Sequence, residues 1–442
     1  MTNYSFSDRL LQKQIHKKGY LMKKIIAILL LILIIGGVQS APAAAQDGIT
    51  ITDLGTLGGS WSEAYGINDL GQVVGRSETD SGNVHAFLWK DGTMTDLGAL
   101  GSSYSEAFGI NDLGQVVGWS PAASGGVHAF LWQDGVMTDL GTLGSSVSKA
   151  VGINNLGQVV GGSDTASPRC FVPEFHAFLW EYGVMTDLSI PGSCESFALD
   201  INNLGQVVGY YSTSGTHAFL WENGSMIDLG GLGGPFSRAY GINDLGQVVG
   251  TSQTELGENH TFVWQNGIMT DLGSLFNFPS SINDLGQIVG WSQTSDGARY
   301  GFLYQEGIMT DLGTLGGTFT MASAINNLGQ VVGYSVKESG EGHATIWTVP
   351  LPSPEVVINP TIENVSELMA EGTLNAGQGN ALISKLENVL TKLEKDNDQA
   401  ACNQLGDFIE QVQSFVEDGV LTSVEGQLLI VAAHRVQDEI CP

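Results

Sequence analysis

Histidine recurs at nearly regular intervals along this chain, and its side chain is the commonest metal ligand and a frequent proton carrier. Six copies stand at the same place in a repeated phrase: His85, His128, His176, His217, His260 and His343. Equivalent positions of a repeat lie far apart in space, so they cannot converge at metal-ligand distances of ~2 Å. We therefore expect no metal site from them, and instead a hydrogen bond from each histidine to a neighbouring strand or turn.

Acidic residues recur in two patterns. One aspartate is present in every repeat: Asp53, Asp96, Asp139, Asp187, Asp228, Asp271 and Asp311. Another position carries Asp69, Asp112, Asp244 and Asp284 in four repeats and Asn155, Asn203 and Asn327 in the others. A site that needs negative charge would not accept asparagine, whereas an Asx turn accepts either residue. Both patterns indicate a structural role. The sequence has no calcium-binding loop of the EF-hand type, and calcium binding at another kind of site is kept as an alternative.

Catalytic signatures are scarce. The sequence has no Gly-x-Ser-x-Gly elbow, no phosphate-binding loop and no His-Glu-x-x-His. Glu63 and Glu106 precede the same alanine in adjacent repeats and are the best carboxylate pair for glycoside cleavage. Other repeats carry Lys149, Arg238 or Met321 at this position. The sequence therefore predicts no catalytic residue, and an enzyme is kept as the alternative hypothesis.

Aromatic residues at two variable positions of the repeat are the candidate ligand-binding residues. They are Trp61 and Tyr104 at one position, and Trp119, Tyr210, Trp291 and Tyr334 at the other. Exposed aromatic rings stack on sugar faces and anchor protein interfaces. The competing interpretation is that these rings fill the gaps between structural repeats.

The repeat itself predicts the elements that position these residues. The phrase Ile-Asn-(Asp/Asn)-Leu-Gly-Gln-(Val/Ile)-Val-Gly occurs seven times, and His-Ala-Phe-Leu-Trp or a variant follows each copy. Four strand-like segments per repeat, a to d, fall at 64–67, 72–77, 85–89 and 93–97 in the first copy. The a–b and c–d links contain Asn, Asp and Gly and indicate tight hairpins. Four short antiparallel strands in about 43 residues are typical of a propeller blade.

The two ends of the repeat region predict a closed ring. The chain starts with an unaccompanied strand d at 49–54, and the last repeat has no strand d of its own. The N-terminal strand would therefore complete blade seven and remove the unpaired sheet edges. An open solenoid would need capping repeats, which the sequence lacks. We predict an all-β seven-bladed β-propeller of four-stranded blades over 46–349.

These phrases resemble the HAF family of extracellular repeats over about residues 50–347. The resemblance implies secretion and a repeat architecture, and it implies no activity. Repeat six departs from the pattern, with Arg-Tyr-Gly-Phe-Leu-Tyr at 299–304.

The b–c and d–a connections vary in length and lie on one face of the predicted disk, which makes that face the candidate binding face. An enlarged b–c loop in blade three contains Cys170, and the following d–a loop contains Cys194. Both loops fall on the same face, so we predict a disulfide between them. It would brace either a ligand platform or a neutral insertion.

The pattern changes after Pro350, where 350–360 is predicted as a proline-spaced linker. Helical periodicity predicts helices near 361–371, 375–396, 399–418 and 422–439. Cys402 and Cys441 would meet between antiparallel neighbours, so a second disulfide is expected. The segments 374–382 and 401–405 resemble the FIMAH domain, a module at the ends of secreted bacterial and archaeal proteins. The resemblance implies an accessory interaction module over 361–442.

The first 45 residues are predicted to be a signal peptide. Lys23 and Lys24 precede an apolar run at 25–35, and Ala43-Ala44-Ala45 fits a cleavage site. Met22 is the predicted start, and an uncleaved membrane anchor is the alternative. Residues 1–45 carry six Lys/Arg and one Asp, so cleavage moves the formal charge from −29 to −34. Such a surface excludes nucleic acid as a partner, and the mature chain has no predicted membrane span.

Together these features predict a secreted, non-catalytic binding or adhesion protein that is free outside the cell or associated with its surface and requires no cofactor. Its partner would be an extracellular polysaccharide or a surface protein. The alternatives are a secreted carbohydrate-active enzyme with its site at the propeller hub, and a structural component of an envelope or matrix.

Overall fold

The computed structural model describes residues 48–166, 175–188, 193, 195–274, 278–294, 297–305, 307–350 and 354–441. The predicted signal peptide at 1–45 lies outside the described residues. Cys170 and Cys194 also lie outside them, so their disulfide stays a prediction. Within the described ranges the chain forms a β-propeller followed by a helical domain, which confirms the predicted fold class.

The propeller strands follow one another with short connections. In chain order they are β1 (Thr50–Asp53), β2 (Gly58–Ile67), β3 (Val73–Thr79), β4 (Val84–Lys90), β5 (Thr93–Asp96), β6 (Glu106–Ile110), β7 (Val116–Pro121), β8 (Val127–Gln133), β9 (Val136–Asp139), β10 (Gly144–Ile153), β11 (Val159–Thr165), β12 (Phe175–Glu181), β13 (Val184–Asp187), β14 (Glu195–Ile201), β15 (Val207–Ser212), β16 (Thr216–Glu222), β17 (Ser225–Gly230), β18 (Gly233–Ile242), β19 (Val248–Thr254), β20 (Asn259–Gln265), β21 (Ile268–Asp271), β22 (Phe278–Ile282), β23 (Ile288–Gln293), β24 (Arg299–Gln305), β25 (Ile308–Asp311), β26 (Gly316–Ile325), β27 (Gln330–Lys337) and β28 (Gly342–Thr348).

Among the described residues the antiparallel pairings group these strands into seven four-stranded blades. Blade one is β2 to β5, and each later blade takes the next four strands. The seventh takes β26, β27 and β28 together with β1, which pairs with β28 from Thr50↔Thr348 to Asp53↔Thr345. The N-terminal strand therefore completes the last blade, as the sequence predicted, and an open solenoid is excluded.

Two glycines show why the innermost strand and its turn need this residue. A Cβ on Gly66 would lie 2.5 Å from the carbonyl oxygen of Phe108 in the next blade, so blade one admits no side chain at this position. Gly71, at the end of the a–b turn, has φ +71°. That left-handed conformation favours glycine and lets the hairpin close tightly.

The apolar core lies between the blades. Phe87 of blade one is fully buried and packs with Val73 of its own blade and with Ala344 and Ile346 of blade seven. Equivalent clusters recur at the other blade boundaries in the described residues. Burying one phenylalanine contributes roughly 1.5–3 kcal/mol, so each boundary is held by an aromatic from strand c, as predicted.

Four helices form the C-terminal domain around a core of their own. They are α1 (Pro354–Glu371), α2 (Ala376–Leu393), α3 (Asp398–Glu417) and α4 (Ser423–Ile440). A Cys402–Cys441 disulfide joins the start of α3 to the residue after α4, as predicted. No helix in the described ranges is long and apolar enough to cross a membrane.

The predicted linker is shorter than expected, because α1 begins at Pro354 inside 350–360. Proline at the first helical position has a suitable fixed φ and gives up an N–H that would be unsatisfied there anyway. The proline that was interpreted as part of a linker is therefore the first residue of a helix.

Candidate binding sites between the blades

The repeated histidine and aspartate form one unit within the blade. In five blades the histidine Nδ1 lies 2.7–2.9 Å from a carboxylate oxygen: His85–Asp96, His128–Asp139, His176–Asp187, His260–Asp271 and His343–Asp53. The same carboxylates also accept backbone N–H groups, for example that of Gly98 to Asp96 at 2.7 Å. The predicted structural role of both residues is confirmed. Among the described residues no three His, Cys, Asp or Glu side chains form a metal-binding group.

Two rings of hydrogen bonds between the a–b turns connect neighbouring blades at the hub. In the first, the backbone N–H of each variable turn residue donates to the side-chain Oδ1 of its equivalent in the next blade, at 2.8–3.0 Å. This ring runs Asp69, Asp112, Asn155, Asn203, Asp244, Asp284, Asn327 and back to Asp69. In the second ring, the side-chain Nδ2 of each preceding asparagine, such as Asn68, donates to a backbone carbonyl of the next blade at 2.9–3.0 Å.

The Asx turn is formed by the invariant asparagine and not by the variable residue after it. Asn68 Oδ1 accepts the backbone N–H groups of Leu70 and Gln72. The variable position instead links blades, and a mixture of Asp and Asn there places amide donors beside carboxylate acceptors. Asn155 Nδ2 donates to Asp112 Oδ2 at 2.7 Å, so an amide donor lies beside a carboxylate acceptor.

A central cavity of about 290 Å³ lies along the propeller axis, lined by the innermost strands and their turns. Asp200 occupies a position that is glycine in four other blades. Its carboxylate accepts the backbone N–H groups of Ile201 and Ile242, each at 2.9 Å. Burial raises the pKa of Asp200 to about 7, against the lowering effect of those two donors. Burial likewise raises the pKa of Asp284 in the hub ring to about 6.

A repeated serine on strand a was missed as a functional position in the sequence, although it occurs in five of the repeats. In blade two, Ser105 Oγ accepts the backbone N–H of Ala86 in blade one at 2.8 Å and donates to Gly98 O. Four other blades repeat this link with their own serine. The hydroxyl therefore fastens each inner strand to the preceding blade.

The predicted binding aromatics lie at crevices between adjacent blades. We call these interblade crevices and identify each by its two blades. Within one blade, the aromatic of strand b stacks on an aromatic in strand a or just before it: Tyr104–Trp119 at 5.3 Å, Phe197–Tyr210 at 6.4 Å and Phe278–Trp291 at 4.0 Å between ring centroids. Tyr334 meets Phe319 edge to face at 5.8 Å. All six predicted residues, Trp61 included, are half-buried. Each ring thus packs against its neighbours and keeps part of its surface open, and its role in ligand binding stays a prediction.

Basic side chains cover several of these rings. Lys149 lies over Trp119 in crevice 2/3, and Arg238 lies over Tyr210 in crevice 4/5. Arg299 lies over Trp291 in blade six and reaches Phe319 of blade seven, which places it at crevice 6/7. The sequence showed that Lys149 and Arg238 stand at a variable position of the repeat, but it did not predict that each would lie over an aromatic ring.

Crevice 7/1 contains an open pocket of about 290 Å³, lined by Trp61, Glu63, Arg76, Phe319, Met321 and Tyr334. Two predicted binding aromatics, Trp61 and Tyr334, thus meet in one concave site with an acid and a base. Such a mixture of rings and converging polar groups is typical of a small-ligand site.

The carboxylate pair considered for catalysis is occupied by a cation. Arg76 bonds Glu63 at 2.8 Å and Glu106 at 2.5 Å. The phenols of Tyr65 and Tyr104 also donate to these two carboxylates. Burial and the adjacent carboxylates raise the pKa of both phenols. The network ties blade one to blade two, and both carboxylates are bound to the same guanidinium.

The opposite face, which carries the a–b and c–d turns and which we call the turn face, exposes apolar side chains. Leucines of four a–b turns are about two-thirds exposed: Leu70 at 66%, Leu113 at 64%, Leu156 at 65% and Leu204 at 67%. Val136, Tyr182 and Val184 beside the c–d turns are also exposed. Clustered apolar exposure marks an interaction surface more often than scattered exposure does. An apolar residue in a tight turn was the sequence signal for it.

Comparison with protein-family models and with curated proteins gives no match. Solved structures that resemble the chain are propellers of diverse function. The β-propeller domain of the Trilobed protease from Pyrococcus furiosus is 11% identical, with 56% of this chain and 82% of that chain covered and a TM-score of 0.44. TolB from Acinetobacter baumannii is 10% identical, with coverage of 66% and 67% and a TM-score of 0.38. A mutant Aleuria aurantia lectin in complex with Fucα1-6GlcNAc is 13% identical, with coverage of 60% and 97% and a TM-score of 0.34.

Proposed function

We propose that this protein is a secreted, non-catalytic binding module whose interblade crevices recognise an extracellular polysaccharide. The observation that supports it most is the recurrence of stacked, half-exposed aromatic rings at alternate crevices of one ring. Rings present a flat apolar surface to the C–H face of a sugar, while adjacent charged and hydroxyl groups bind its hydroxyls. Several such crevices on one disk would bind a repeating polymer with avidity.

Secretion rests on the predicted signal peptide and on the resemblance to HAF repeats. The C-terminal helices, which resemble a FIMAH domain, would provide a second contact at the cell surface. Cleavage of the signal peptide removes six Lys/Arg and one Asp, so the formal net charge changes from −29 to −34. Such an acidic mature chain suits a soluble extracellular protein.

The test is binding of residues 46–442 to immobilised polysaccharides, with calcium and with a chelator. A variant with Trp119, Tyr210, Trp291 and Tyr334 changed to Ala should lose most binding while keeping its thermal unfolding transition. Tyr182→Ala is the matched control, because it removes an aromatic that is 93% exposed on the turn face. Binding retained by the fourfold variant would locate the site elsewhere, and no binding to any glycan would refute the proposal.

The exposed leucines of the turn face favour a second candidate, a contact with a protein. If the chain is a structural component, this face would mediate self-association. Replacement of Leu70, Leu113, Leu156 and Leu204 by Ser should then shift the sedimentation coefficient toward that of the monomer. A wild-type protein that is monomeric at high concentration would remove the self-association hypothesis.

A further inference from the structure

Three basic residues of the propeller lie over aromatic rings and have no acidic partner in the described residues. Lys149 Nζ lies 4.6 Å from the ring centroid of Trp119, the Arg238 guanidinium 4.0 Å from that of Tyr210, and the Arg299 guanidinium 4.7 Å from that of Trp291. Within the described residues none of the three forms an ion pair or a side-chain hydrogen bond. Arg76 and Lys337, by contrast, bond to carboxylates within 3.2 Å.

The composition makes these unpaired cations unexpected. The chain has 46 Asp and Glu against 17 Lys and Arg, so most bases could find an acid nearby. A cation over an aromatic ring is attracted to the ring face, and its other side stays available for an anion. Partial burial strengthens that electrostatic interaction because less water screens it.

Arg238 gives the most specific signal. Its Nε is buried and has no hydrogen-bond partner in the described part of the chain. A buried donor without an acceptor costs free energy. Tyr210 and Phe236 flank the guanidinium at 4.0 and 5.5 Å, so it is held between two rings. The Tyr210 hydroxyl donates to the carboxylate of Glu195, and burial together with that carboxylate raises the pKa of the phenol.

The three cations occupy alternate crevices, namely 2/3, 4/5 and 6/7. Crevice 3/4 has Gly162 and Phe197 at the equivalent positions, and crevice 1/2 has an arginine already bonded to two carboxylates. The charged sites are therefore separated by two blades each around one ring. A polymer with a regularly repeated negative charge could engage more than one of them.

We infer that these crevices bind an acidic saccharide, in which the aromatic ring stacks on the sugar and the cation binds its carboxylate or sulfate group. This inference rests on the proposed polysaccharide-binding function and names its ligand class. The guanidinium of Arg238 can donate two parallel hydrogen bonds to such a planar or tetrahedral anion. The general negative charge of the surface does not prevent this, because salt screens exposed charges beyond about 8 Å.

The experiment compares each acidic polymer with its uncharged counterpart. Polygalacturonate is paired with its methyl ester, and dextran sulfate with dextran, in the presence of a calcium chelator. Residues 46–442 should bind at least one acidic polymer and neither neutral counterpart, with affinity that falls as salt rises. Which acidic polymer binds distinguishes a carboxylate from a sulfate as the recognised group.

A triple variant, Lys149→Gln, Arg238→Gln and Arg299→Gln, should weaken that binding by about tenfold or more for each site used. The control triple, Lys90→Gln, Lys385→Gln and Lys392→Gln, removes the same charge elsewhere and should bind as the wild type does. Arg238→Lys keeps the charge without the planar fork and should give an intermediate loss.

Equal binding to charged and neutral polymers, lost in the aromatic variant, would overturn the acidic ligand while leaving the proposed function intact. Equal weakening in the two triple variants would overturn the assignment to these crevices. Binding to none of the four polymers would also overturn the inference, and a wider neutral glycan panel would then decide the proposed function separately.

Discussion

The ring of this propeller is closed by individual side chains at the hub. Asn326 of blade seven donates through Nδ2 to the carbonyl oxygen of Asn68 in blade one at 3.0 Å, across 258 residues of sequence. Its Oδ1 accepts the backbone N–H groups of Leu328 and Gln330. One amide therefore shapes its own turn and joins the two ends of the ring.

We expect Asn326→Ala to lower the free energy of unfolding of the propeller by about 2–4 kcal/mol. Asn326 is 4% exposed, and its loss leaves buried backbone groups without partners. All nine tryptophans lie in the propeller, so tryptophan fluorescence during urea unfolding measures this directly. Asn259→Ala, at an exposed position, is the control and should change stability by less than about 0.5 kcal/mol. Equal effects in the two variants would contradict the assigned role.

Asp200 should make stability depend on pH. Its pKa of about 7 lies above the value of about 3.9 in an unfolded chain, so the folded state holds the proton more tightly. The resulting stability is fully present below about pH 4 and is lost as the pH rises through about 7.

The stability of Asp200→Asn relative to the wild type should therefore increase from pH 4 to pH 7 and then level off. Urea unfolding at successive pH values measures the difference between the two proteins, and other titrating groups cancel in it. Parallel curves for wild type and variant across this range would show that the carboxylate is not buried as described.

At the scale of secondary structure, local sequence signals and the tertiary packing agree closely. The helix caps Asn375 and Thr422 each form a capping box, with Gln378 and Glu425 bonding back to the cap residue. The small helical core, by contrast, gives each helix few partners, and the Cys402–Cys441 disulfide closes a loop of 39 residues between α3 and α4. Small domains of this size gain much of their stability from such links.

Changing both Cys402 and Cys441 to Ser should lower the stability of the helical domain by about 3–4 kcal/mol, as expected from the closure entropy of this loop. Circular dichroism at 222 nm follows this domain because the described propeller residues form strands. Tryptophan fluorescence should show no change in the propeller transition. An unchanged helical transition in the double variant would indicate that packing alone holds α3 and α4.

At the scale of the whole molecule, stability depends on the contact between the two ends of the propeller. The pairing of β1 with β28 is reinforced at Asp53, whose carboxylate contacts both His343 and Lys337. Burial raises the pKa of Asp53, but the hydrogen bonds that it accepts from the Gly55 backbone N–H, His343 and Lys337 outweigh this effect and lower it. The outer strand of blade seven is thus both a sheet strand and the closure of the ring.

Thr52→Pro should destabilise the propeller more than Thr95→Pro. The two residues hold equivalent places, opposite Ile346 in β28 and Leu88 in β4, so the local loss of a ladder hydrogen bond is the same. Thr52→Pro additionally weakens the strand that joins the chain ends. Urea unfolding and limited proteolysis of both variants measure the difference, and equal destabilisation would mean that the hub rings close the propeller without β1.

The sequence by itself determined the blade pattern, the hairpin turns and the closing N-terminal strand. These follow from signals within one repeat, such as the alternation in 72–77 and the Asn-Asp-Leu-Gly turn at 68–71, which act over a few residues. It also located the aromatics of the crevices and the Cys402–Cys441 pair. The tertiary structure alone decided how Asp69 accepts from Asn327, how Asp200 comes to be buried, and which ring each of Lys149 and Arg238 covers. Those contacts join different blades, and the distance and burial that set their energy arise only when the ring closes.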